Sequence, residues 1–178
     1  MKTLEDQMSF YAAYHQDARN KATHFVGVPM IIVSLFIPLA MVQVPLGAIA
    51  PTGAVVFAAV ILVYYVYLDV LLGLTTAAFT ALFLLAAHWV VAQGTGIAWS
   101  AFGVLFVGGW IIQLVGHACE GRKPALADNL FQIFIAPIFL CAELFFALGY
   151  KPALHAAVQQ RALEMRKAAA PGGTRAAA

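Results

Sequence analysis

The chain has 178 residues, of which 63% are hydrophobic and 10% charged, with a formal net charge of +2. A soluble domain averages about 45–50% apolar and about 25% charged residues, so the apolar excess must face lipid. The basic residues lie at the two ends and in one loop, a pattern that marks membrane sidedness and excludes a nucleic-acid groove.

The first segment, Met1 to His24, carries Glu5, Asp6 and Asp17 and has no apolar core before a small-residue cleavage site, so it is expected to stay on the mature protein. From Phe25 to Cys119 the only formally charged residue is Asp69. Lipid offers the backbone no hydrogen-bond partner, so each apolar run in this stretch is predicted to be helical. The runs are 26–43, 53–68, 71–92, 97–118 and, after the polar loop Gly121 to Asn129, 130–149. The fold class is therefore all-α, a polytopic membrane bundle of four to five apolar segments. A single membrane-embedded domain is predicted over 1–158, with a basic, Ala-rich tail over 159–178 that loses order at Pro171-Gly172-Gly173.

Basic residues near membrane crossings mark the cytoplasmic side. Arg19 with Lys21, and Arg122 with Lys123, agree if four spans separate them. Lys151 and the basic tail agree only if the fifth run turns back, and Pro137 inside it suggests a hairpin or re-entrant segment. Cys119 and Cys141 sit in apolar surroundings without CxxC spacing and are expected to be buried, inert thiols.

Topology sorts the histidines. His15 and His24 flank the entry to the first span, and His117 returns to the same face at the end of the fourth; His88 falls on the opposite face and His155 in the tail. Trp110, Gln113, Gly116, His117 and Glu120 recur at spacings of three and four and form one stripe on an apolar helix. Gly108, Gly109 and Gly116 would let another backbone approach that stripe. It is either a polar packing seam or, through His117 and Glu120, a source of metal ligands. Nine residues separate His15 from His24 and turn a straight helix by about 180°. A break near Asn20 to Thr23, capped by one of them, would let both face one pocket, with Gly27 and Pro29 in the first turn of the next helix. The alternative is that His15 only anchors an interfacial helix with Tyr11 and Tyr14. Glu143 is costly at membrane depth and is read either as orienting a ligand histidine from behind or as a partner of Arg122 or Lys123. Asp69 is read as a solvated loop residue.

Two motifs carry a family resemblance: Tyr14-His15, Asn20, His24 and Gly27-Val28-Pro29, then Gly109-Trp110-Ile111-Ile112-Gln113 through Gly116-His117-Ala118-Cys119-Glu120-Gly121-Arg122-Lys123-Pro124 to Leu130. With Ala136-Pro137 and Glu143 they resemble the family of the yeast 2-hydroxy fatty acid dioxygenase, small membrane proteins, over nearly the whole chain. Cys119 departs from that pattern, where the family has Phe. The resemblance implies Fe(II)-dependent alpha-oxidation, in which O2 cleaves the C1–C2 bond of a long-chain 2-hydroxy fatty acid and leaves a chain one carbon shorter. It implies His15, His24 and His117 as metal ligands, with Glu120 a fourth ligand or a base behind them. Asn20 and Gln113 would be hydrogen-bond partners, and Arg122 or Lys123 would hold the substrate carboxylate. The implied partners are the fatty acid and membrane lipid, and the Ala-rich tail favours a bacterial inner membrane over endoplasmic reticulum. A di-iron hydroxylase would need histidine clusters that five scattered histidines cannot supply. A non-catalytic membrane protein or small transporter would use the same seam as a pore or packing face.

Overall fold

The computed structural model describes residues 2–169, which among themselves form seven α-helices and two short 3-10 turns but no strand. Helix α1 (Leu4–Ala12) opens with a capping box: the Thr3 hydroxyl accepts from the Asp6 amide at 3.1 Å, and the Asp6 carboxylate accepts from the Thr3 amide at 2.9 Å. Helix α2 (Ala18–Ala40) starts on Asp17, whose carboxylate takes the Arg19 amide at 2.8 Å. The break that separates His15 from His24 is therefore at residues 13–17, not at Asn20 to Thr23. Both Asn20 and Thr23 lie inside α2, and Gly27 and Pro29 fall in its interior rather than in its first turn. The helix starts eight residues before the apolar run because its first turns pack against protein, where Asn20 and His24 are buried.

Helices α3 (Gly53–Leu68), α4 (Val70–Ala92) and α5 (Thr95–Glu120) follow the predicted runs closely. Three helices, α2, α4 and α5, are long and apolar enough to cross a membrane, and the 16-residue α3 is a shorter apolar helix between them. Their outward faces expose Val60, Val63, Leu85 and Val104, as a polytopic membrane bundle requires, since lipid solvates those side chains. The most extensive contact is the crossing of α2 with α5. A Cβ added to Gly109 would sit 2.8 Å from Ile31 Cγ1 and 3.0 Å from the Gly27 carbonyl oxygen, so the glycines permit the backbone approach expected of them. Gly121, at φ 67°, ends α5, with the Arg122 amide donating back to the His117 carbonyl at 3.4 Å.

Asp69 is not a free loop residue. It caps α4 by accepting from the Leu72 amide at 2.9 Å, and its other oxygen takes Lys151 Nζ at 2.7 Å. The fifth run is also more broken than one span. A 3-10 turn (Leu130–Phe134) precedes α6 (Ala136–Ala147), which holds Pro137 in its first turn, where a missing amide costs no bond. At 12 residues, α6 is about 18 Å long and cannot cross a core of about 30 Å. The reversal falls later: Gly149 (φ 77°) and Lys151 (φ 52°) take left-handed conformations, and α7 (Pro152–Ala168) leaves at 120° to α6. Helix α7 returns to α1, where Arg161 Nη1 meets Asp6 at 2.5 Å. It runs through residue 158 without interruption; the Pro171-Gly172-Gly173 end of the tail lies outside the described residues. Cys141 is buried as expected, but Cys119 is exposed.

This arrangement places α1 and α7 together at the end of the bundle from which α2 departs. Single cysteines at Lys2 and Gln160, in a Cys119→Ser background, should label from the same membrane side, and one at Gln93 from the opposite side. Opposite labelling of Lys2 and Gln160 would contradict the return of α7.

Candidate metal centre

Three segments bring His15, His24 and His117 together. His15 sits in the turn after α1, His24 in the second turn of α2, and His117 three residues before the end of α5. All three are buried, and their ligand-capable atoms lie within 4.8 Å of one another, about twice an ordinary metal–imidazole bond of ~2.1 Å. The hydrogen bonds fix two tautomers. His15 Nδ1 is 2.7 Å from the Tyr11 carbonyl and His24 Nδ1 is 2.9 Å from the Asn20 carbonyl. A carbonyl only accepts, so both Nδ1 atoms carry hydrogen in the neutral rings and both Nε2 atoms present bare lone pairs. Those Nε2 atoms face each other at 3.1 Å. His117 Nδ1 is buried with no hydrogen-bond partner among the described residues. Two facing lone pairs and an orphaned ring nitrogen, out of reach of solvent, are unfavourable unless a cation or a shared proton sits among them. Burial, with His24 close by, holds the His15 pKa well below the ordinary imidazole value, which keeps its ring neutral and able to ligate.

Glu120 is placed one turn beyond His117 on the same helix, yet it does not aim at the imidazoles. Its Oε2 accepts the backbone amides of Gln16 at 2.9 Å and Asp17 at 2.7 Å, and Asn20 Nδ2 at 3.3 Å; its Oε1 pairs with Arg166 of α7. Its side chain is 1% exposed. The carboxylate is a clamp that holds the 13–17 turn, and through it His15, against α5. A role as fourth ligand would require giving up those bonds. Asn20 completes the clamp by also donating to the Tyr14 carbonyl at 3.2 Å.

The other expected residues divide. Gln113 lines the cavity beside His117. Arg122 and Lys123 do not: Arg122 Nη1 donates to the Ala13 carbonyl at 3.4 Å, and Lys123 pairs with Asp128 at 2.5 Å on the loop's exposed side. Glu143 has neither of its expected partners, since its Oε2 takes Lys21 Nζ at 2.8 Å and no hydrogen bond joins it to a histidine among the described residues. His88 lies at the far end of the bundle, 3.0 Å from the Thr52 hydroxyl, and His155 stacks on Phe146.

A cavity of about 260 Å³ opens from the three imidazoles and runs between α2, α3 and α5, roofed by residues 124–126 and 132–134. Its lining is apolar except for Thr80 of α4 and the groups near the histidines, where Tyr11, Gln113 and Gln132 join them. Tyr11 stacks on His15 with ring centroids 4.0 Å apart and planes 5° from parallel. Gln132 Oε1 is buried with no partner among the described residues, while its amide donates to Gln7 at 3.2 Å. The sequence offered one signal for Tyr11, its spacing of four from His15. It offered none for Gln132 or Arg166, whose roles depend on the 3-10 turn and on the return of α7.

An apolar helical bundle that buries three neutral imidazoles at the mouth of a lipophilic cavity defines a membrane protein with a candidate single-ion centre. The family model described as 2-hydroxy-palmitic acid dioxygenase Mpo1-like matches residues 1–148, and the chain belongs to that family. It is 33% identical over 172 residues to the 2-hydroxy-palmitic acid dioxygenase MPO1 of Saccharomyces cerevisiae, covering 92% of this chain and 95% of the yeast protein. No solved structure matches the chain.

If Glu120 is a clamp, Glu120→Gln should lower stability by about 2 kcal/mol, the scale of a lost charge-assisted bond. Lys123→Gln, which breaks a pair on the loop's outer side, should change it by less than about 0.5 kcal/mol. Thermal unfolding in detergent measures both. Equal losses, or none in Glu120→Gln, would contradict the clamp.

Proposed function

We propose that the chain is an Fe(II)-dependent membrane dioxygenase that shortens long-chain 2-hydroxy fatty acids by one carbon: O2 takes four electrons as the C1–C2 bond breaks, C2 becomes the new carboxyl, and C1 leaves as CO2 with one water. The observation that carries this reading is the facing pair of bare Nε2 atoms at 3.1 Å, with His117 beside them, at the polar end of an apolar cavity. Three neutral imidazoles without a thiolate suit non-haem iron, which keeps coordination positions free. Bound there, Fe(II) would activate O2 and receive the hydroxyl and carboxylate oxygens of the substrate.

The chain's own residues do the rest. His15, His24 and His117 would hold the ion, with the Tyr11 and Asn20 carbonyls fixing the orientation of the first two rings. Glu120 and Asn20 anchor the turn that carries His15. The stacked Tyr11 ring covers one face of His15 and excludes water from it. Arg122 and Lys123 are engaged elsewhere, so the substrate carboxylate would find its compensating charge at the metal. The Gln113 amide, the Tyr11 hydroxyl and the Gln132 carbonyl are then the groups available for its remaining hydrogen bonds. The acyl chain would lie in the apolar part of the cavity, reached from surrounding lipid. The name of the yeast relative supports the same substrate class, and a bacterial inner membrane is the proposed location. A transporter reading is weaker, because the polar groups other than Thr80 gather at one end of the cavity instead of lining a path across the bundle.

The test adds Fe(II) and 2-hydroxypalmitate to purified protein anaerobically, then O2, and measures iron per protein and the acid one carbon shorter. His15→Ala, His24→Ala and His117→Ala should each remain membrane-inserted and lose more than about 100-fold in turnover, beyond the 10–100-fold typical of losing a partner behind a ligand. His88→Ala should keep its iron. Full activity in any of the three variants removes that residue from the site, and full activity in two overturns the metal-centre model.

A further inference from the structure

The cavity is longest along α2, where His24, Val28, Ile31, Ile32, Leu35 and Phe36 line it at helical spacing. From His24 to Phe36 the helix advances about 18 Å at 1.5 Å per residue. Helix α3 runs back along it, with Tyr65 near the histidine end and Phe57 and Ala58 at the other. The lining stops there on both helices. Phe36 and Ala58, each 4% exposed, belong to a second packed core with Ile37, Ala54 and Ala98, all of them buried. Such an interior admits no further methylene without moving side chains.

We propose that Phe36 and Ala58 form the floor of the acyl site and set the length of chain it accepts. The inference rests on the reading of this cavity as the site for a 2-hydroxy fatty acid. With C1 and C2 held at the imidazoles, an extended chain advances about 1.3 Å per carbon, from ordinary single-bond lengths and angles. It then meets the floor after about fourteen more carbons in a channel of about 18 Å. The competing arrangement is a tail that leaves sideways into the bilayer between Leu35 and Phe57, which are 36% and 38% exposed. A floor imposes an upper limit on chain length; a side exit imposes none.

Two plugs at different depths separate these arrangements. Ala58→Leu raises the floor itself. Ile61→Phe fills the channel about one helical turn nearer the histidines, and Ile61 is only half-buried, so this variant keeps the series readable if Ala58→Leu does not fold. Val104→Phe, on the lipid-facing side of α5 at 70% exposure, is the control.

Two readouts are taken on each purified protein. One is the shift in unfolding temperature caused by plain saturated fatty acids of ten to twenty carbons, which lack the 2-hydroxyl and cannot react. The other is product formation from 2-hydroxy acids of the same lengths. In the wild type both should peak near sixteen carbons, with turnover at least tenfold lower at twenty. The optimum should fall by about two carbons in Ala58→Leu and by about four in Ile61→Phe, one turn of about 5.4 Å, and stay put in Val104→Phe. An unchanged optimum in both plugged variants, or no upper limit in the wild type, would overturn the floor. Length-dependent stabilisation without product from any 2-hydroxy acid would instead refute the proposed reaction and leave the floor standing.

Discussion

A single carboxylate decides the geometry of this protein's polar end. Glu120 closes α5 three residues after His117, and from there its oxygens take the amides of Gln16 and Asp17 and the side chains of Asn20 and Arg166. The chain would otherwise run straight from α1 into α2, and a straight helix sends His15 and His24 to opposite faces. By holding the 13–17 turn against α5, the carboxylate lets both imidazoles meet the third. Helix α7 contributes to the same knot through Arg166, although it lies beyond residue 148, where the family model's match ends.

The polar end is compatible with a lipid-facing bundle because nearly every charge there is paired. Lys21 with Glu143, Lys151 with Asp69 and Arg166 with Glu120 join elements distant in sequence, and each pair ties α6 or α7 to the spanning helices. Partly buried pairs of this kind contribute specificity of packing more than net stability. The histidines are the exception: they are buried without a charged partner, and two of them aim lone pairs at each other. Buried, unpaired lone pairs of that kind, in a fold that pairs its charges, are what the proposed ion would satisfy.

Much of this was legible in the sequence, and the parts that were not share one cause. The spans follow from uninterrupted apolar runs, which lipid makes decisive, and α3 occupies the predicted 53–68. Counting four crossings was enough to put His24 and His117 at one end and His88 at the other. The stripe from Trp110 to Glu120 was visible as helical periodicity, and the glycines that face α2 were visible with it. What periodicity could not give was the partner of each polar side chain. Glu120 reads as a fourth ligand or a base behind the ligands because it neighbours His117, Arg122 or Lys123 as a substrate contact because they follow it, and Asp69 as solvated because it sits between runs. Glu120, Arg122 and Asp69 are engaged by Arg166, Ala13 and Lys151 from elsewhere in the chain, and Lys123 by Asp128 in its own loop; Arg166 and Lys151 take their places through the reversal at Gly149–Lys151. The position of the break before α2 was missed for the same reason, since Asp17 caps the helix while Glu120, distant in sequence, receives the amides of Gln16 and Asp17.

The central claim is that His15, His24 and His117 are the protein ligands of one iron. X-ray absorption at the iron edge of wild-type protein purified with Fe(II) tests it directly, because imidazole rings leave a distinct multiple-scattering signature beyond the first shell. The account predicts nitrogen and oxygen neighbours only, with three imidazoles per iron and the remaining positions filled by light atoms. A sulfur neighbour, a single imidazole, or iron that washes out with no defined environment would contradict it.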